Sequence, residues 1–356
     1  MILRLKLFKY GTLFFAALTV SGCSSFGYYV DLMAGHNELV EQQKPVSEIL
    51  ASKETRPKLR ELLKTSQNIR DFASKNLYLP ENDSYRSYAD LKRPYAVWNV
   101  VAAKEFSVNA KKWCFLIVGC LSYRGYFSKP DAAAYANELK KKGYDVYVAG
   151  ANAYSTLGWF DDPLLNTMMY KSEARRAGII FHELAHQVVY IDDDSAFNEA
   201  FATTVEQEGI RRWLTTKGKE ETYQKYLVNK KRDAQLNALL KQTREALKAV
   251  YARKLSDADK RAAKQKVFAE MQGKYQQLKK SWQGYSAYDK WMQQDLNNAH
   301  LLLISTYHDM VPMFQAMLSQ QNNNLKNFYT AVEKLGSLEK AQRMNKLNNI
   351  VKLTQR

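Results

Sequence analysis

Apolar positions recur at helical intervals toward both ends of the chain and at strand intervals between them. Over residues 28–75, Leu59, Leu62, Leu63, Ile69 and Phe72 return every three or four positions, which predicts helix. A loop rich in Pro, Asn, Asp and Ser follows around residues 79–87. Residues 95–101 and 114–118 are short runs of aromatic and β-branched side chains and predict strands. A helix over 131–142, entered after Pro130 and left at Gly143, leads to a further strand at 145–148.

The pattern then becomes helical again. One helix is expected over 172–190, then a turn through 192–195, then a second helix with Ser195 as its cap. Beyond Thr216 two apolar stripes stand out, Leu236, Leu239, Leu240, Leu247, Val250 and Tyr251, then Val267, Phe268, Met271, Tyr275, Leu278 and Trp282. They read as packing faces separated by a break at Ser256. Further helices cover about 289–318, with Pro312 kinking or ending one, and about 325–351, broken at Gly336. No internal repeat is visible. The fold class is α+β: a small sheet, a helix pair and a large helical C-terminal part.

A hydrophobic share of 46% and an aromatic share of 12% over 356 residues exclude a disordered chain and allow a sizeable core. The formal charge of +17 raises nucleic acid as a partner, but no recognition motif accompanies it, and none is expected. Much of the excess lies near residues 217–282. It reads as a solvated face or as a patch for anionic lipid or glycan.

The N-terminus adds a location. Arg4, Lys6 and Lys9 precede a short apolar run over 11–20, too short to span a bilayer but suited to an export signal. The run ends in Thr19-Val20-Ser21-Gly22-Cys23, which resembles the lipobox of bacterial lipoproteins. That resemblance implies cleavage after residue 22, a lipid on Cys23 and a membrane anchor. With Ser24 next, it also implies the periplasmic face of the outer membrane. A retained membrane helix is the alternative. Loss of residues 1–22 removes three basic side chains and lowers the charge by three, to +14. Cys114 and Cys120 remain. They form either a disulfide, if Gly119 turns the chain, or two buried thiols.

The chemistry is concentrated in Phe181-His182-Glu183-Leu184-Ala185-His186. Four positions apart on a helix, His182 and His186 stand one turn above each other and can share one metal ion. Glu183 lies beside them, placed to take a proton from an attacking water. A catalytic zinc usually takes three protein ligands. Downstream, Glu199 stands where a short interhelical turn would fold it back to the histidines, and Glu206 is its rival seven residues later.

His182-Glu183-x-x-His186 followed by Asn198-Glu199-Ala200-Phe201-Ala202 resembles the zincin peptidases whose third ligand is a Glu in an Asn-Glu-Gly/Ala sequence. Thermolysin-like peptidases and the zinc aminopeptidases are the best-known members. Within that group the chain resembles a family of bacterial lipoproteins described as putative aminopeptidases. The shared segments are Tyr123-Arg124-Gly125-Tyr126-Phe127, residues 153–163, the zinc motif, Asn297-Asn298-Ala299, Tyr307 and Val311-Pro312-x-Phe314.

The resemblance implies one catalytic Zn2+ held by His182, His186 and Glu199, with Glu183 as general base and a peptide as substrate. It implies a zincin-like core at 91–216, after an N-terminal helical region at 23–90 and before a helical region at 217–356. Two departures are visible. The His186-to-Glu199 gap is shorter than in thermolysin-like enzymes, and there is no Gly-x-Met-x-Asn segment like the one that holds the substrate amine in large aminopeptidases.

Further roles are expected with alternatives attached. Tyr154, Ser155 and Thr156, within 153–160, serve either as a substrate-pairing edge strand or as structure. Tyr307 or His308 is the candidate oxyanion donor, with packing or plain exposure as the other reading. Asp161 or Asp162 receives a substrate amine or serves a turn. Thr203 is a candidate partner of a ligand. Arg124 binds a substrate carboxylate or sits in a structural ion pair. Two other functions compete: amide hydrolysis on cell-wall peptides, and a lipid-anchored binding or assembly factor with a non-catalytic zinc site. The retained Glu183 argues against the latter, because structural zinc needs no base.

Overall fold

The computed structural model describes residues 23–115, 119–153, 160–192, 194–305 and 310–354. Cys23 is the first of them. The proposed export signal, residues 154–156, Tyr307 and His308 lie outside the description.

The N-terminal helical stretch is three helices: α1 (Cys23–Glu41), α2 (Val46–Ala51) and α3 (Pro57–Leu77), with the short β1 (Lys44–Pro45) after α1. Pro45 stands just before α2 and Pro57 opens α3. Proline has no N–H to donate and is tolerated at a helix start, so it ends the preceding helix and begins a new one. The strands β2 (Ser87–Ala89), β3 (Val97–Lys104), β4 (Trp113–Phe115), β5 (Gly119–Leu121) and β6 (Arg124–Tyr126) follow. Then come α4 (Lys129–Lys141), β7 (Tyr144–Ala151), β8 (Leu164–Leu165) and α5 (Asn166–Met169).

The main sheet has the order β6-β3-β7 and is antiparallel, with Val100 opposite both Arg124 and Val148. Alternation along β3 explains its two partners. Val100 and Ala102 face α4, where Ala132, Ala136 and Leu139 are buried. Val101 and Ala103 face the other way, against Ala299 and Leu302. A second sheet, β1-β2-β8, is two residues wide at its edges.

Of the run expected to be one strand over 114–118, residues 114 and 115 lie in β4 and 116–118 lie outside the description; β4 pairs antiparallel with β5. Gly119 adopts φ +68°, the left-handed conformation glycine accepts without penalty. Cys114 is thereby set opposite Cys120, and the two form a disulfide.

The remainder is helical: α6 (Glu173–His186), α7 (Ser195–Thr216), α8 (Glu220–Ala252), α9 (Asp257–Ser281), α10 (Asp289–Met292), α11 (Asn298–Ser305), α12 (Val311–Gln320), α13 (Leu325–Gly336) and α14 (Lys340–Thr354). Pro312 opens α12 in its first turn, so it neither kinks nor ends a helix. Ser195 is the first helical residue of α7 rather than its cap. The preceding Asp194 makes no capping bond, because its carboxylate pairs with Arg343 and Lys340 of α14. Helices α8 and α9 share a seam of Leu236, Leu240, Leu247, Phe268, Met271 and Tyr275, the two stripes read from the sequence.

One core cluster runs from Leu39 to Leu347. Phe181 and Leu184 of α6, Phe197 and Phe201 of α7, and Phe314 and Phe328 lie in it, all fully buried. The Phe197 and Phe314 rings meet edge-on at 5.0 Å. Tyr329 donates to Leu77 O at 2.8 Å, joining α13 to the end of α3. The helix pair that carries the histidines and Glu199 is therefore wedged between the N-terminal and C-terminal helices. Among the described residues, no helix is long and apolar enough to cross a membrane.

Candidate metal centre

Helix α6 begins at a cap: the Ser172 side chain accepts from Arg175 N. It ends at His186, and Gln187 caps it. His182 and His186 lie in its last two turns, one above the other, with ring centroids 4.9 Å apart. Eight residues separate the end of α6 from the start of α7. From the first turn of α7 Asn198 reaches back to Ile191, and Glu199, one position on, faces the two imidazoles.

The three side chains converge. His182 Nε2 lies 3.2 Å from His186 Nε2 and 3.3 Å from Glu199 Oε2, and His186 Nε2 lies 3.6 Å from Glu199 Oε1. Among the described residues these three form the one group of histidine, cysteine or acidic side chains able to hold a metal ion. With zinc bonds of about 2.0–2.2 Å, ligands at the corners of a tetrahedron stand roughly 3.3–3.6 Å apart. The donor spacing fits that figure.

The sphere around the donors is asymmetric. Glu206 Oε2 lies 3.2 Å from His182 Nδ1, so the rival third ligand meets the ring nitrogen on the far side from Glu199. Thr203, one turn after Glu199, is buried. Gly178 makes room for Glu206: a Cβ there would meet its Oε1 at 3.0 Å. His186 Nδ1 is buried and has no hydrogen-bond partner in the structure.

The charges respond to this packing. Burial pulls the His182 pKa down, but the bonds to Glu199 and Glu206 outweigh it and hold the ring well above the ordinary histidine value. His186 goes the other way, lowered by burial and by the neighbouring His182. Burial works against the ionised form of Glu206, yet its bond to His182 keeps its pKa below the usual carboxylate range. Two carboxylates thus favour positive charge at the His182 position. A divalent cation answers the same demand, and an imidazole that has lost its proton is what it needs as a ligand.

Glu183, between the histidines, is near enough for its charge to act on His182 and on Tyr85. Asp162 is buried, and its backbone oxygen accepts from Tyr85 N at 2.6 Å; Asp161 is exposed. Arg124 stacks on aromatic rings. Its guanidinium lies 3.8 Å over the Tyr28 ring and 4.5 Å over that of Tyr135, pinning α1 and α4 to the sheet by cation–π contact. The Asn297-Asn298-Ala299 segment is also structural. Buried Asn298 accepts from Tyr251 and donates to Glu105 O, while its N–H donates to Asp145.

Gln187 and the turn at 80–86 escaped the sequence reading, since nothing in their spacing marks them. Gln187 Oε1 accepts from Asn82 Nδ2 at 2.8 Å, and Gln187 Nε2 donates to Ser84 Oγ at 3.3 Å. That turn is thereby latched to the end of the histidine helix.

No curated protein and no solved structure matches the chain. Residues 27–347 match the family described as "Putative aminopeptidase", a span that takes in the histidine helix, Glu199, Glu206 and the latched turn. The chain belongs to that family.

Proposed function

We propose that the protein is a zinc-dependent aminopeptidase with Glu183 as its general base. The observation that carries this reading is the convergence of His182, His186 and Glu199 at the spacing zinc requires, with Glu183 beside them. When bound, zinc would acidify a water molecule and polarise the scissile carbonyl.

The chain's own residues do the rest. Glu206 fixes the His182 ring so that Nε2 faces the metal position. Glu183 accepts a proton from the attacking water and passes it to the departing amine, which needs a carboxylate ionised at rest. Peptide cleavage follows from this proton path together with the family's description. Release from the N-terminal end rests on the description alone.

The same reading places the protein in the bacterial envelope, anchored through lipid on Cys23 at the periplasmic face of the outer membrane. The lipobox-like sequence supports this, as does the Cys114–Cys120 disulfide, which an oxidising compartment preserves.

The test is digestion of a mixed peptide library by the protein starting after Cys23, followed by mass spectrometry. Stepwise loss of N-terminal residues is expected. Internal cuts would make it an endopeptidase. Inertness toward every linear peptide, with cleavage of cell-wall peptides, would move it to envelope amide hydrolysis.

A further inference from the structure

The turn that brings Glu199 to the histidines is held from outside by α14. Asp194, directly before α7, stands where an aspartate usually caps a helix. It makes no capping bond. Its carboxylate goes to α14 instead: Oδ2 accepts from Arg343 Nη2 at 2.7 Å, and Oδ1 lies 3.1 Å from Lys340 Nζ. Asp194 and Arg343 are both buried.

Arg343 meets three further groups. Nη1 donates to Leu338 O at 2.6 Å and to Gly336 O at 3.2 Å, closing the corner between α13 and α14. The guanidinium also lies 5.6 Å over the ring of Phe197, in the first turn of α7. The corner itself presses on the turn between α6 and α7: a Cβ on Gly336 would come within 2.7 Å of Ile191 Cδ1. Ile191 and Asp194 are the two residues to which Asn198 is bonded, since Asn198 N donates to Asp194 O at 3.1 Å. Glu199 is next, with its carboxylate 3.3 and 3.6 Å from the two imidazoles. One side chain thus joins α14 to the backbone that carries the third candidate ligand.

Stability alone does not explain the ion pair. Two charges taken out of water give up hydration, and well-packed apolar side chains in their place are often as stable or more so. What the pair adds is direction. The planar guanidinium bonds Asp194 through one nitrogen and the two corner carbonyls through the other, and so sets the angle at which α7 starts.

We infer that Arg343 is a positioning residue for the metal: by holding Asp194 it fixes the entry of α7, and with it the place at which Glu199 meets His182 and His186. Metal binding and the docking of α14 are therefore linked, and each strengthens the other by the same factor. The inference rests on the zinc reading above.

Arg343→Met keeps much of the side chain's length and removes the charged fork. Titrated with Zn2+ against a chelator, at a temperature where circular dichroism shows the variant folded, it should bind about tenfold more weakly than wild type. The visible absorption of Co2+ bound in place of zinc should change as well, because Glu199 is displaced. Arg343→Lys, which keeps the charge, should recover part of the affinity. Leu247→Ala, in the separate α8–α9 seam, should lower the melting midpoint and leave zinc affinity and the Co2+ spectrum at wild-type values. In the wild type, added Zn2+ should slow hydrogen exchange in α14 more than in α8 and α9, a measurement that needs no variant. Wild-type zinc affinity and Co2+ spectrum in folded Arg343→Met would overturn the inference, as would equal weakening in Leu247→Ala. So would exchange in α14 that zinc slows no more than in α8 and α9. A wild-type chain that takes up no zinc fails the zinc reading itself, and the inference with it.

Discussion

Asn198 holds both backbone groups of Ile191: its Nδ2 donates to Ile191 O and its Oδ1 accepts from Ile191 N, each at 2.8 Å. The side chain thus closes the turn between α6 and α7, as a strand partner would. Because Glu199 is the next residue, the clamp sets where the third candidate ligand begins its approach to His182 and His186. This gives a physical reason for Asn directly before Glu in the motif.

Asn198→Ala should therefore cost stability and metal together. Two bonds are lost; the half-buried Ile191 N–H loses its acceptor, while Ile191 O keeps the donor Asp194 N, a penalty of about 1–2 kcal/mol. Urea unfolding would give the stability loss, and elemental analysis should find less zinc per chain. Asn198→Asp keeps the acceptor and loses the donor, so it should fall between Ala and wild type. Wild-type stability in Asn198→Ala would remove the clamp from the account.

Glu206 should control affinity and not ligand number. Glu206→Gln keeps the side chain's shape but removes the charge that favours His182 Nδ1–H. Zinc affinity, measured by competition with a chelator, is expected to weaken about 10- to 100-fold, with stoichiometry unchanged at saturating metal. Undiminished affinity would mean that the Glu206–His182 contact is packing only.

His300 supplies a pH prediction away from the centre. The ring is buried against Tyr147, with Asn297 N donating to its Nδ1, and burial lowers its pKa from 6.5 to about 4. The folded protein thus keeps His300 neutral where the unfolded chain takes up a proton. Its contribution is complete above pH 6.5 and is lost as the pH falls toward 4, by about 3 kcal/mol in all. His300→Gln should show a shallower loss of stability than wild type across that window. Parallel curves would show that His300 does not carry the effect.

The parts of this fold that announce themselves in sequence are those governed by local periodicity. The α8–α9 stripes, the His182/His186 pair one turn apart and the Ser256 break all follow from helical spacing. What was hidden depends on contacts between distant segments. A turn at Gly119 with a disulfide is one of the two readings the sequence leaves open, and nothing in residues 114–118 decides between them. The cation–π contacts of Arg124 with Tyr28 and Tyr135 leave no charge pattern in the sequence. Glu206 was weighed as a metal ligand. Only the packing of α7 on Gly178 of α6 shows that its carboxylate reaches Nδ1 of His182. Tyr85 lies in a polar loop without periodicity, and its left-handed backbone, φ +66°, is held by Asp162 and Gln67 from elsewhere in the chain.

The most direct test pairs metal content with hydrolysis in the wild-type protein and Glu183→Gln. The account predicts about one zinc per chain in both, with peptide cleavage in the wild type and its loss in the variant. Chains that take up no zinc even when it is supplied, or a Glu183→Gln variant that cleaves as fast as wild type, would contradict it.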